Sequence, residues 1–350
     1  MSRARIALVG AGWFGRLAAI PAVLDHPHAD LVAVCDRDRQ RAQETADEFG
    51  IAGVFTDVGD LIEAGVADGV IVAVSQTAHH RVCAQALAAG LHVLVEKPIV
   101  LTAADAWELV DLAAARDLIL MVGETFHFPS VSQRVRDVVR SGRLGDLVQV
   151  VGTFNSHTAR LFGGASALPD GRGGGYSDPA LAGGGQGHTQ VSHLAGLALW
   201  TCGESVDGVF AYLDNRGLQV DLVDAIVARL SGGASISLSA TGTMPSGHPP
   251  RNRLEYYGTT GFLVHDLAAA TATIALTDEP VEYLALGPDE ETYPLQAPAR
   301  QFADLINGAA VENLAPGESA ARAVELLDAA YRSAAEHGVA VVEPRPAQRA

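Results

Sequence analysis

At 350 residues, 48% of them hydrophobic, the chain can build two domains of ordinary size with separate cores, and a single small module is excluded. Its 41 acidic against 24 basic residues leave a formal charge of −17, which opposes nucleic acid and anionic membrane surfaces as partners. Cys35, Cys83 and Cys202 have no paired spacing, no apolar stretch reaches the ~18 residues of a membrane span, and the N-terminus carries no long apolar h-region, so a reducing cytoplasm is the expected location.

Residues 6–9 form an apolar strand that runs into Gly10-Ala11-Gly12-Trp13-Phe14-Gly15, and a helix is expected from residue 13. In this Gly-x-Gly-x-x-Gly pattern Gly10 permits a tight turn, Gly12 lets backbone N–H groups approach a pyrophosphate, and Gly15 lets the helix pack on the strand. The helix N-terminus, with Trp13 and Phe14 in its first turn, adds positive potential for the phosphates. A second apolar strand at 31–35 delivers Asp36, where a carboxylate accepts hydrogen bonds from adenosine ribose hydroxyls and repels a 2′-phosphate. NAD is therefore favoured over NADP, although Arg37 and Arg39 stand close enough to accommodate a phosphate.

Further strands are expected at 69–74, 92–95 and 118–122, alternating with helices at 39–49, 80–89 and 103–116. Thr102 introduces the last helix as N-cap, and Gly90 closes the one before it. Val70-Ile71-Val72-Ala73-Val74 lacks polar alternation, as strands buried on both faces of a parallel sheet do. Residues 1–123 thus read as a doubly wound α/β Rossmann domain. The strand at 92–95 ends in Glu96-Lys97-Pro98, at the carboxyl edge where open α/β sheets bind ligands. Beside an oxidised nicotinamide, positive charge and desolvation lower a lysine pKa toward the range of a general acid or base. Lys97 is the resulting candidate for a substrate hydroxyl proton, the alternative being a surface Glu-Lys pair before a loop proline.

Beyond residue 126 the texture changes to period-2 alternation, clearest at 234–240, with companions at 148–154, 209–213, 225–230 and 271–276. That predicts an α+β domain over 124–350 built on a largely antiparallel open sheet, unless one or two of these runs are short helices. An amphipathic helix is expected at 318–336, with Val324, Leu327 and Tyr331 at helical spacing. Residues 163–187 hold ten glycines together with Pro169 and Pro179, either as a mobile surface loop or as a loop whose backbone approaches a ligand.

The sequence resembles the glucose–fructose oxidoreductase, inositol dehydrogenase and rhizopine catabolism family, Gfo/Idh/MocA, over nearly its whole length. The likeness rests on the N-terminal glycine pattern, on Glu96-Lys97-Pro98, on Leu120-Met121-Val122-Gly123, and on Asp178-Pro179-Ala180-Leu181-Ala182-Gly183-Gly184-Gly185 before a histidine-bearing helix. Glu255-Tyr256-Tyr257-Gly258-Thr259-Thr260-Gly261 adds a turn between late strands. The resemblance implies that Lys97 and His193 act on the substrate hydroxyl and that cofactor contacts extend to Ser75, Gln76, His79 and Glu96. For His79 a capping or packing role is the alternative. Many members carry an aspartate four residues before that histidine and another three after it, where this chain has Thr189 and Gly196.

Three accounts of that departure stand open. Lys97 and His193 suffice, with Thr189 or Gln190 orienting the substrate; His188 takes over part of the role; or the redox function is lost and a ligand sensor remains. His188 and His193 are five positions apart, about 500° of α-helical rotation, so they are not expected to share a face or to form a metal site. Glu124, His127, Tyr176 and Asp178 are further candidates for reading substrate hydroxyls, inter-domain hydrogen bonding being the alternative for the first two. The resulting expectation is an NAD-dependent dehydrogenase of a secondary hydroxyl on a sugar, cyclitol or related polyol, with a homodimer or homotetramer implied by the resemblance. Its rivals are an NAD-dependent eliminating or glycoside-cleaving enzyme that oxidises its substrate transiently, and a non-catalytic dinucleotide or sugar sensor.

Overall fold

The structure, a computed structural model, describes residues 3–166 and 174–342, and the chain there builds two sheets. The first is wholly parallel: β1 (Ala4–Val9), β2 (Ala29–Cys35), β3 (Gly53–Phe55), β4 (Gly69–Val72), β5 (His92–Val95) and β6 (Leu120–Val122) lie in the order β3-β2-β1-β4-β5-β6. In this doubly wound arrangement the strand order reverses between β1 and β4, and a crevice opens at their carboxyl ends. The unbroken apolar runs are explained by burial on both faces. Ile6 and Leu8 of β1 enter one core while Ala7 and Val9 enter the other. Asp38 caps the helix Arg39–Phe49 by accepting from the Gln40 and Arg41 N–H groups, and Thr102 caps Ala103–Ala114 through the Asp105 N–H, each worth about 1 kcal/mol.

The helix after the glycine turn is not uniformly α. Its residues Gly15–Ala19 form a π-helical turn that continues as the α-helix Ile20–Leu24. Pro21 has no N–H to give to the preceding turn and its ring crowds the carbonyl four residues back, and widening the helix there relieves both.

The second sheet comprises β7 (Leu147–Asn155), β8 (Val206–Asp214), β9 (Val223–Leu230), β10 (Ser235–Thr241), β11 (Arg251–Gly258), β12 (Gly261–Asp266), β13 (Thr271–Leu276), β14 (Glu282–Ala285) and β15 (Ala340–Val341). Their order is β14-β13-β12-β11-β7-β10-β9-β8-β15, antiparallel throughout except for the β7–β10 pair. Period-2 alternation is explicit in β10, where Ile236, Leu238 and Ala240 are buried and Ser235 and Ser239 face solvent. The inner face packs against the helices Ser130–Arg140, Ser192–Cys202 and Gly317–Glu336. Of these, Ser192–Cys202 is apolar nearly all round, because it lies between the sheet and its fellow helices, and this makes it a rigid carrier for His193. On the outer face Tyr212, Val227, Phe262 and Tyr283 are exposed.

The chain does not leave the first sheet for good after β6. Phe302 and Ala303 of the helix Ala297–Ile306 join Leu8, Ile71, Leu94 and Met121 in one core, and Val122 N–H donates to Ala315 O at 2.9 Å. Among the described residues no helix is long and apolar enough to cross a membrane.

Candidate active site

The glycine turn closes against the exit of β4. Gly10 has φ +98°, and a Cβ there would fall 2.4 Å from Ala73 O; at Gly15 a Cβ would fall 2.7 Å from Gly10 O. Gly12 differs, since a Cβ on it would meet no protein atom within 4 Å. Protein packing thus demands the first and third glycines, whereas the second keeps open the space over the turn that a pyrophosphate needs. Asp36, 8% exposed, closes the turn from the side by accepting from Ala11 N and Asp38 N, both at 2.9 Å. Its carboxylate retains lone pairs for a ribose, and Arg41 is 3.6 Å away while Arg37 is exposed. The Tyr176 hydroxyl has its pKa raised by burial. The residues present therefore fit a dinucleotide, with Gly10, Gly12 and Gly15 at its phosphates and Asp36 at its ribose.

At the end of β4, Ser75 leads into the turn Gln76–Ala78, and the Gln76 side-chain oxygen is buried without a partner. Thr77 donates to Ala180 O at 3.0 Å and so brings the helix Pro179–Ala182 over the crevice. His79 is buried, with Nδ1 2.9 Å from Pro98 O and Nε2 3.2 Å from Val74 O, and burial lowers its pKa. Its ring pins the turn that carries Lys97 to the exit of β4, the packing alternative expected for it.

Lys97 leaves β5 and donates from Nζ to Thr189 O at 2.7 Å. Burial lowers its pKa, while the carboxylates of Glu96 and Glu124 act in the opposite direction. Glu96 is pushed up to about 8 and Glu124 to about 7, both by burial and both against the pull of Lys97. A Cβ on Gly123 would lie 2.5 Å from Glu96 Oε1, so that glycine makes room for the carboxyl group. His193 sits between Phe126 and Phe154, with ring centroids at 5.4 and 6.1 Å, and burial followed by the charge of Lys97 holds its pKa well below the usual histidine value. A half-buried amine, a neutral imidazole and two carboxyl groups thereby meet at the carboxyl edge of the parallel sheet. Tyr293 completes the cluster from a loop after β14, its hydroxyl 3.4 Å from His193 Nε2. No periodicity or motif marks Tyr293 in the sequence. Its Thr-Tyr-Pro setting reads as an ordinary loop.

Several sequence candidates lie elsewhere. Asp178 is exposed and caps Pro179–Ala182 through the Ala180 N–H, which occupies the carboxylate that was expected to read substrate. His127 stacks on Trp200 at 4.3 Å and pairs Nδ1 with Leu314 O, a packing arrangement in which burial takes its pKa to about 3. Gln190 is only partly buried, and Thr189 enters the cluster by its backbone carbonyl, leaving Oγ1 buried without a partner. The expected α-helical phase between His188 and His193 does not apply, because Gly187–Val191 is a π-helical turn in which Ser192 N–H reaches Gly187 O. The two rings nonetheless belong to different clusters, since His188 stacks on Tyr331 at 4.3 Å. His80, Asp105 and Glu108 bring potential metal ligands within 4.8 Å of one another outside this cluster, two of them half-buried and one exposed.

The glycine-rich segment packs closely on the protein itself from Gly183 onward, while at Gly164 and Gly174 a Cβ would meet nothing nearer than 3.8 Å; residues 167–173, including Pro169, lie outside the described residues. A Cβ would fall 2.4 Å from Leu101 at Gly183, 2.2 Å from Tyr331 Oη at Gly184, and 2.0 Å from Asp221 O at Gly185. These glycines let the backbone press on the protein itself, and Asp221 holds it there by accepting from Gly185 N, Gly187 N and Tyr331 Oη at 2.8, 2.7 and 2.7 Å. Beside Asp221, Asp224 is 2% exposed, and burial pushes its pKa up to about 9. A carboxyl pKa raised on folding contributes stability that is complete below its unfolded value of about 4 and is lost as pH rises through the folded value. Between about pH 5 and about pH 9 the wild type should therefore lose up to ~1.4 kcal/mol per pH unit relative to Asp224→Asn. Urea midpoints of the two proteins across that range check the slope.

Comparison with known proteins agrees with this geometry. Residues 4–124 match the GFO_IDH_MocA profile, an oxidoreductase family with an NAD-binding Rossmann fold, and residues 132–264 match the GFO/IDH/MocA C-terminal domain. The chain is 34% identical over 150 residues to the dTDP-3,4-didehydro-2,6-dideoxy-alpha-D-glucose 3-reductase of Streptomyces violaceoruber, 43% of this chain and 44% of that protein. The aligned part thus spans less than half of that curated relative. Similar folds include an inositol dehydrogenase homolog from Azotobacter vinelandii complexed with NAD+, with TM-score 0.83, 19% identity and coverage of 97% of this chain and 98% of that one. Levoglucosan dehydrogenase in complex with NADH and levoglucosan gives TM-score 0.82 at 18% identity, covering 98% and 100%. With a parallel sheet that carries a dinucleotide turn and a second sheet that carries the histidine helix, both matched by profile, the chain belongs to the GFO/IDH/MocA family of NAD-binding oxidoreductases.

Proposed function

We propose that this protein is an NAD-dependent dehydrogenase that oxidises a secondary hydroxyl of a sugar, cyclitol or related polyol. The observation that carries the reading is the half-buried Lys97 amine, fixed on Thr189 O beside neutral His193 at the carboxyl edge of the sheet whose glycine turn fits the dinucleotide. Bound NAD supplies a hydride acceptor at its nicotinamide. Lys97 takes the hydroxyl proton and passes it to His193, and burial, which lowers the pKa of each, favours their proton-accepting forms. Gly10, Gly12, Gly15, Trp13 and Phe14 would hold the phosphate end, Asp36 the ribose, and Ser75, Gln76 and Glu96 the edge near the nicotinamide; Thr189, Gln190 and Tyr176 would meet substrate hydroxyls. The names of the similar proteins, a sugar-nucleotide reductase, an inositol dehydrogenase homolog and levoglucosan dehydrogenase, support a carbohydrate or cyclitol substrate.

The exposed apolar side chains on the outer face of the second sheet support a homodimer or homotetramer, and the three free cysteines support a reducing cytoplasm. The direct test is a screen of neutral sugars, cyclitols and polyols for NADH formation, with NAD and NADP in parallel. NADH from at least one compound supports the reading. Its absence across the panel, with NAD binding shown separately, refutes it.

Cofactor choice gives a further expectation. Asp36→Ser removes the negative charge facing the ribose, so NAD should bind ~10–100-fold more weakly and NADP more tightly, with Arg37 nearby to meet the added phosphate. Calorimetric titration with both cofactors measures the ratio.

A further inference from the structure

Two buried polar atoms face each other without any hydrogen-bond partner. Glu124 Oε2 lies 3.8 Å from His193 Nδ1, the two residues being 3% and 5% exposed. Glu124 is fixed from below, since it follows β6 directly and its N–H donates to Val122 O at 2.7 Å. Its carboxyl group rests on the histidine helix at Gly196, where a Cβ would come within 3.0 Å of Oε1. On the other side of the imidazole, Nε2 faces the Tyr293 hydroxyl at 3.4 Å. The remaining ionisable groups about the pair are Lys97 and Glu96 after β5 and His127 in the turn after Glu124.

We infer that Glu124 is the positioning residue of His193: its carboxylate takes the Nδ1 proton as a hydrogen bond, fixes the tautomer with Nε2 free, and offsets the positive charge when Nε2 accepts the substrate proton. This rests on the reading of His193 given above. In the step, the substrate O–H proton passes through the Lys97 amine to His193 Nε2 and the Nδ1 proton stays in place, while NAD, when bound, would supply the hydride acceptor, so charge and atoms balance. The 3.8 Å separation is longer than a hydrogen bond, as apo geometries of catalytic pairs often are before substrate tightens them. Glycine at 196 belongs to the same device, since a side chain there would push the carboxyl group off the ring.

The test is the histidine nitrogen NMR of the full chain with NAD bound, together with the pH dependence of kcat/KM, for wild type, Glu124→Gln and Gly196→Ala. In the wild type His193 should be protonated at Nδ1. Because Glu124 and His193 share the first proton taken up on acidification, Glu124→Gln should lower the titration point at which that proton is taken up, move the acid limb of kcat/KM to lower pH, and reduce kcat/KM by ~100-fold with an unchanged thermal midpoint. Gly196→Ala should reproduce the spectral change with the carboxylate still present, and it carries the test alone if Glu124→Gln does not fold. An unchanged tautomer and titration point in the folded variants overturns the inference. The expected spectra in an enzyme that oxidises no sugar would leave the Glu124–His193 pairing standing and remove the dehydrogenase reading instead.

Discussion

Lys97→Met should lower kcat for hydroxyl oxidation by ~1,000-fold, while NAD affinity changes by no more than ~10-fold. The amine is held at a defined place by Thr189 O, and the variant loses both the first proton acceptor and the positive charge that acts on Glu96 and Glu124. Lys97→Arg should fall nearly as far even though it keeps the charge, because a guanidinium does not release its proton. The two variants together separate charge from basicity. In the wild type, burial lowers the lysine pKa, so kcat/KM for oxidation should rise with pH and reach half its maximum below the ordinary lysine value of about 10.4. Steady-state kinetics across pH with a substrate from the screen, and fluorescence titration of NAD, supply both measurements.

Gly10→Ala and Gly12→Ala should fail in opposite ways. At Gly10 an alanine must adopt φ +98° and place its Cβ 2.4 Å from Ala73 O, a backbone atom of the strand exit that cannot turn aside. A cost of ~3 kcal/mol or more is expected, seen as a thermal midpoint lower by ~6 °C or more together with lost NAD binding. At Gly12 no protein atom lies within 4 Å of the added Cβ, so the midpoint should hold while NAD affinity falls by ~100-fold. Thermal melts and NAD titrations of both variants check the contrast. An unstable Gly12→Ala protein would mean that this glycine serves the fold rather than the ligand.

The parallel sheet is legible in the sequence because strands buried on both faces leave unbroken apolar runs at β1, β4 and β5. Alternation in β10 is equally open, since one face meets the helices and the other meets water. β3 escapes because three residues carry no period, and the helix Ala297–Ile306 because nothing local announces that it returns to the first sheet. The helix after the glycine turn is placed correctly by pattern, but its π-helical opening depends on Pro21 within an otherwise continuous turn. In the site, Gly10, Gly15, Asp36 and Lys97 are written in local motifs. Tyr293 and the contact of Glu124 with Gly196 are long-range pairings, and sequence spacing holds no record of them. The glycine-rich segment shows the limit from the other side, since composition reveals close approach but not that Leu101, Tyr331 and Asp221 are what the backbone approaches.

A substrate found in the screen and deuterated at the carbon that is oxidised distinguishes direct hydride transfer to NAD, with the hydroxyl proton passing through Lys97 to His193, from every other course. Wild type should give net reduced cofactor carrying one deuterium at the nicotinamide, and Lys97→Met, with NAD still bound, should give the same labelled cofactor ~1,000-fold more slowly. Unlabelled NADH, or product formed with no net NADH, would contradict direct transfer.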